Sequence, residues 1–132
     1  MKKRIKIPLV ILTVLVVLGA VGGLLFSRVV KKFETYLATV KINPVDLNTV
    51  SDGTYSARVN TGVIIVELEA DVRDHTLRDI RLIEHRHGQG ADAEKIIPRI
   101  LEEQRIDVDT VSGATYSSLV IQDTLFRALT RR

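Results

Sequence analysis

Between Ile7 and Ser27 the chain carries no charged residue, and no other feature constrains its folding as strongly. The stretch is mostly Leu, Val, Ile, Gly and Ala, with one aromatic residue, Phe26. As a helix rising ~1.5 Å per residue it spans about 30 Å, the thickness of a bilayer hydrocarbon core. A soluble helix of that length would place charges on its watered face, and this one has none. The expectation is therefore a single transmembrane helix over residues 7–27. Lys2, Lys3, Arg4 and Lys6 precede it without an acidic residue, and Arg28, Lys31 and Lys32 follow. That bias places a short basic tail, residues 1–6, in the cytoplasm and the rest of the chain outside it. A cleaved signal peptide is the competing reading. It is disfavoured because no small-x-small cleavage site precedes Arg28 and because the apolar run is long. With no cysteine, the chain has no lipidated-cysteine anchor, disulfide or thiolate metal site.

The basic character of the whole chain belongs to this anchor. Four of the 19 Lys and Arg residues lie before the apolar stretch and all 16 Asp and Glu lie after it, so the part from Arg28 onward is nearly neutral. Nothing there suggests the basic face a nucleic-acid binder requires, so nucleic acid is not expected as a partner.

Past the anchor, Val29, Val30, Phe33, Tyr36, Leu37 and Val40 recur at three- and four-residue steps. This predicts a helical stalk ending at Asn43-Pro44, with a connector to about residue 50. Residues 51–132 then form one small domain. Ser51-Asp52-Gly53 is a turn signal before Thr54–Arg58. Asn60-Thr61-Gly62 is another, before the alternating run Val63–Val72. Arg73-Asp74-His75 turns the chain into a third strand through Leu77, Ile80, Leu82 and Ile83 to His85. Three strands joined by short turns imply an antiparallel meander with one covered face. After a Gly-rich loop, Arg86–Gly90, Asp92 is expected to cap a short turn, and Pro98 to open a helix reaching Arg105. Ile106–Val111 reads as extended. Ser117 or Ser118 is expected to cap a last helix that turns Ile121, Leu125, Ala128 and Leu129 toward the sheet. The fold class is α+β, a small antiparallel sheet with helices on one face.

The stretch Asp109-Thr110-Val111-Ser112-Gly113-Ala114-Thr115-Tyr116-Ser117 carries the most chemistry. It sets a hydroxyl on a loop just before a helix N-terminus, where free N–H groups and the helix dipole favour an anion. Gly113 and Ala114 leave room for a large group beside the backbone. On spacing alone, Ser112, Thr115 and Ser117 read more readily as turn and capping hydroxyls.

This stretch resembles the flavinylation motif of the FMN-binding domain family: Asp, two residues, Ser or Thr, then Gly-Ala-Thr. That family includes covalently flavinylated components of the sodium-pumping NADH:quinone reductase and of the Rnf complex, and small membrane-anchored bacterial proteins. Asp52-Gly53-Thr54-Tyr55, Gly62–Val66, Ile83-Glu84-His85 and Ile106–Asp109 are also similar to the family, so the likeness covers roughly 80 residues. One departure is the loop Arg86–Gly90, where many members carry Glu-Thr-Pro-Gly.

The resemblance implies FMN as cofactor, esterified through its phosphate to Thr115 by a flavin transferase acting outside the cytoplasm. Asp109, Ser112, Gly113 and Ala114 complete the motif, with Tyr116 and Ser117 beside it. Asp109 is expected to be read by the transferase. Tyr116 and Tyr55 are candidates for an aromatic platform under the flavin ring. His85 and His87 share a strand face and are candidates for its edge. Two histidine ligands without a Cys or carboxylate brought near them make a poor metal site, and none is expected.

The implied function is an anchored, extracytoplasmic electron carrier. Its partners would be the lipid bilayer, the transferase and a membrane electron donor or redox complex. The chain has no dinucleotide fingerprint of its own to feed a flavin. The alternative is a flavin-free or non-covalent subunit or scaffold module of a membrane redox complex.

Overall fold

The computed structural model describes residues 6–131. Lys2, Lys3 and Arg4, which weigh most in the expected orientation, lie outside them. The first element is one continuous helix, α1 (Lys6–Thr39), long and apolar enough to cross a membrane. The helix stops at Thr39, four residues before the expected Asn43-Pro44 break. The chain leaves it with Val40 N–H still bonded to the Tyr36 carbonyl (2.8 Å). In the connector that follows, a 3₁₀ turn at Leu47–Thr49 is capped by Asp46, whose carboxylate accepts from Asn48 N–H.

Three strands follow: β1 (Gly53–Asn60), β2 (Ile65–Arg73) and β3 (Thr76–Arg86). They pair antiparallel in the order β1-β2-β3, the expected meander. The alternation in β2 does what its sequence demands. Val66, Leu68, Ala70 and Val72 are fully buried, while Glu67, Glu69 and Asp71 face the watered side. That outer face is laced with ion pairs: Arg58 with Glu67 (3.2 Å) and Glu84 (2.8 Å), and Arg81 with Glu69. Asp74 and His75, both at positive φ, form the two-residue turn between β2 and β3. The Asp74 N–H donates to Asp52 (2.9 Å), tying that hairpin tip to the start of β1.

β3 carries two register shifts, opposite Glu67/Leu68 and Asp71/Val72. They take Arg78 and Ile83 out of the pairing. The shift near Arg78 lets both Leu77 and Ile80 point inward despite their odd spacing. The shift near Ile83 leaves that side chain half exposed and puts His85 opposite the buried Val66.

A 3₁₀ turn (Ala91–Lys95) leads into α2 (Ile96–Glu103), and α3 (Thr115–Thr130) closes the domain. α2 starts two residues earlier than expected, so Pro98 falls third in its first turn, where it still costs no hydrogen bond. Asp92 does not cap the preceding turn. It lies inside it and pairs with Lys95 (2.6 Å), and that contact lowers its pKa. Residues 106–111, expected to be extended, join no strand. Their carbonyls are satisfied by side chains instead: Gln122 Nε2 donates to Ile106 O (2.8 Å) and Val108 O (2.7 Å), and Arg99 to Asp109 O (2.7 Å).

The core lies between the inner sheet face and α3, whose Val120, Ile121 and Leu125 are fully buried and whose Ala128 and Leu129 nearly so. Burying each large side chain contributes about 1.5–3 kcal/mol. The α+β reading therefore holds, with α3 as the helix that covers the sheet.

The end of α1 also packs on this core through Phe33 and Tyr36. The Tyr36 hydroxyl donates to Asp123 Oδ2 (2.8 Å), which also receives Arg127 Nε (3.0 Å). Burial pushes the Tyr36 phenol well above its ordinary value of 10, and the hydrogen bond to Asp123 and its negative charge push the same way. A raised folded-state pKa means that the contact stabilises fully below the unfolded value and is lost as pH climbs past it. Tyr36→Phe should cost about 1–2 kcal/mol at neutral pH. In thermal melts on either side of pH 10, the parent's advantage over Y36F should hold below that pH and shrink above it. An advantage independent of pH would exclude this clamp.

Candidate functional site at the start of helix α3

The site begins with a turn. Ala114 N–H bonds to the Val111 carbonyl (3.0 Å), and Gly113 sits at φ +79°, a conformation that glycine adopts without strain. Ser112 and Gly113 are exposed, and a side chain added at Gly113 would meet nothing within 4 Å. α3 begins at Thr115, with Ala114 in the capping position and no side chain capping the first turn. This corrects the expected caps. Ser117 and Ser118 lie inside the helix and are buried. The Ser118 hydroxyl accepts from Val111 N–H (3.1 Å) and donates to the Ala114 carbonyl (2.8 Å), bracing the turn from below. Ser117 presses against Gly90. The result is an exposed Thr115 hydroxyl beside uncapped helix N–H groups, a setting that favours an anion.

Beside Thr115 lies a cavity of about 220 Å³. Four parts of the chain enclose it: Phe33 from α1, Val63 and Ile64 from the loop between β1 and β2, Gly88–Gly90 after β3, and residues 113–117. Its aromatic wall is a pair, Phe33 and Tyr116, in edge-to-face contact with centroids 5.7 Å apart and planes at 84°. Gly90 is required for a steric reason, since a Cβ there would stand 2.1 Å from Ser117 Oγ and 2.8 Å from Ser117 Cβ.

The structure thus gathers Gly113, Ala114, Thr115, Tyr116 and Ser117 around one cavity, with Ser112 in the turn that leads to it. Tyr55 is elsewhere. Its hydroxyl bonds to Ser51 O (2.7 Å) at the far end of β1, about 17 Å along the strand from the β1–β2 loop. His85 and His87 do not line the cavity either, although their rings lie against each other, centroids 4.6 Å apart and planes tilted by 46°. The His85 side chain is almost fully buried and its Nδ1 lies 2.9 Å from Glu94, a carboxylate that the sequence does not place beside it. Among the described residues no group of three His, Cys, Asp or Glu side chains is arranged to hold a metal ion. The Asp109 side chain is exposed, and only its backbone carbonyl is engaged by the fold.

Phe33, Val63, Ile64 and the floor at Gly90 are not marked as site residues by any local pattern in the sequence. The one available signal is Phe33, an aromatic on the stalk's apolar stripe beyond the reach of the bilayer core.

An exposed threonine at an uncapped helix N-terminus, opening onto an apolar cavity with an aromatic wall, is a setting that suits an aromatic ligand carrying a phosphate. The comparison with known families makes this specific. The sequence model described as the FMN-binding domain matches residues 13–130, and the chain belongs to that family. No curated protein and no solved structure gives a significant match. FMN is the cofactor. The residues fit it, because Thr115 and the α3 amides suit a phosphate, the open space over Gly113 admits one, and Phe33 and Tyr116 offer ring surface.

Proposed function

We propose that the chain is a membrane-anchored electron carrier that holds FMN outside the cytoplasm through a phosphoester to Thr115. The observation that carries this reading is the placement of Thr115, an exposed hydroxyl at the uncapped start of α3 on the rim of the cavity. FMN, when bound, supplies the electron chemistry. The chain's own residues then have three tasks. The α3 amides and Gly113 receive the phosphate. Phe33, Val63 and Tyr116 keep one wall of the ring site apolar. Ser118 holds the turn in shape.

Esterification from free FMN would expel water and run uphill in aqueous solution, so the donor is a flavin dinucleotide. The Thr115 Oγ–phosphorus bond forms as the donor's phosphoanhydride bond breaks, and the nucleoside monophosphate leaves with the threonine proton. Covalent attachment keeps the cofactor where a released one would diffuse away. α1 supports placement at a membrane, and the basic residues before it support an outside domain.

Expression with a flavin transferase should add one FMN less one water to the intact mass. An unmodified mass would favour the scaffold reading. Asp109 has no structural duty for its carboxylate, so Asp109→Ala should change stability by less than about 0.5 kcal/mol while abolishing loading. Full loading of D109A would show that the transferase does not read it.

A further inference from the structure

The part of α1 beyond Ser27 is a ruler for the domain's height above the membrane. Val29 stands about 3 Å along the axis past the uncharged stretch, and Phe33 about 9 Å. The headgroup layer on each side of a bilayer is roughly 5–7 Å deep. The domain is docked against α1 from the level of Val29, inside that layer, to the level of Phe33, just past its outer edge. A Cβ added at Gly62 would lie 3.3 Å from Val29 Cγ1 and 3.7 Å from Lys32 Cδ, so the β1–β2 loop rests on the helix just past the apolar segment. Tyr116 touches Phe33 one turn further on, and Asp123 holds Tyr36 after that.

The loop at the lowest level is stiff. The Thr61 hydroxyl accepts from Ile64 N–H (2.9 Å) and donates to Ile64 O (3.0 Å), and the Asn60 side chain accepts from Gly62 N–H (2.8 Å). On its tip Val63 is 42% exposed, and Tyr116 across the cavity is 56% exposed. Val29 and Phe26 continue this exposed apolar strip into the membrane segment. Arg28, Lys31 and Lys32 flank it with the charge that anionic headgroups attract.

We propose that the β1–β2 loop is seated in the headgroup layer of the bilayer, with Val63 as the contacting side chain and the mouth of the cavity, at Tyr116, on the layer's outer edge. The surface is continuous with the anchor, apolar at its tip and basic at its border, which is the chemistry of a membrane interface. The inference rests on α1 being a membrane anchor, and its test separates the two.

The full chain has neither Cys nor Trp, so single replacements report cleanly. An environment-sensitive thiol label is placed at Leu18→Cys, Val63→Cys or Arg78→Cys. Each variant is reconstituted in phosphatidylcholine–phosphatidylglycerol vesicles without bromine, with lipids brominated near the headgroup, and with lipids brominated near the chain ends, since Leu18 lies about 14 Å below Ser27, near the midplane. Arg78 is the aqueous control, about 30 Å along the sheet from Gly62 at the hairpin end tied to Asp52. We expect quenching by about half or more at L18C with the chain-end bromines and at V63C with the headgroup bromines, and none at R78C with either. Quenching at L18C without quenching at V63C overturns the seating and leaves the anchor. No quenching at L18C overturns the anchor and the seating with it. If V63C does not fold, the intrinsic fluorescence of Tyr116→Trp decides by the same quenching.

Discussion

Thr115→Val should abolish covalent flavin while leaving the fold in place. Valine keeps the β-branched shape and removes only the hydroxyl. Thr115 is exposed and makes no side-chain hydrogen bond among the described residues, so the change in stability should stay within about 0.5 kcal/mol. Loading, read as intact mass and in-gel flavin fluorescence after expression with the transferase, should fall below detection. Thr115→Ser keeps a hydroxyl and should retain partial loading. The neighbouring hydroxyls provide the control. Ser117 and Ser118 are buried, and Ser118 is already engaged on both sides, so neither replaces Thr115. Ser112 is exposed in the turn, and Ser112→Ala should still accept flavin at Thr115. A labelled T115V beside an unlabelled S112A would move the attachment point and overturn the assignment.

Gly90→Ala should damage both stability and loading. The added methyl would enter space held by Ser117, 2.1 Å from its oxygen and 2.8 Å from its Cβ. Ser117 cannot swing away cheaply, because it is buried in the first turn of a helix packed on the sheet. Overpacking of this kind costs about 1–3 kcal/mol. In a domain of this size each kcal/mol lowers the melting temperature by roughly 4–8 °C. The strain should push the Gly88–Gly90 loop off α3 and distort the cavity floor, lowering flavin loading in step. The double variant G90A/S117A removes the closest contact and should recover part of both losses, a coupling expected of residues in direct contact. If G90A melts with the parent, the loop is not held against α3 as described.

The two variants probe different layers of the same site, and those layers differ in how legible they are in the sequence. Thr115, Gly113 and Ala114 lie within three residues of one another. Their chemistry, a hydroxyl before a helix and a turn glycine at positive φ, is local and readable. The helix starts two to three residues before the expected serine caps. Serine is a favoured cap, and nothing local shows that Ser118 bonds backward into the turn. The strands of the meander are readable from alternation. The bulges in β3 are not, because a two-residue period cannot register an inserted residue that only the partner strand reveals. Residues 106–111, expected to be extended, join no strand. Their hydrogen bonds go to Gln122 and Arg99, which pattern alone does not connect to them.

The sequence by itself determined an apolar helix of membrane length, a three-stranded meander with one buried face, and a threonine held at the head of the last helix. Each follows from interactions between residues a few positions apart, which periodicity and turn chemistry record directly. Only the tertiary structure decided that the end of α1 docks on the domain and completes the cavity. It also decided that Gly90 forms the floor against Ser117, and that Tyr55 and the two histidines stand aside. Those outcomes depend on contacts such as Tyr36 to Asp123, 87 residues apart, which form because a small domain's core must be covered from every side.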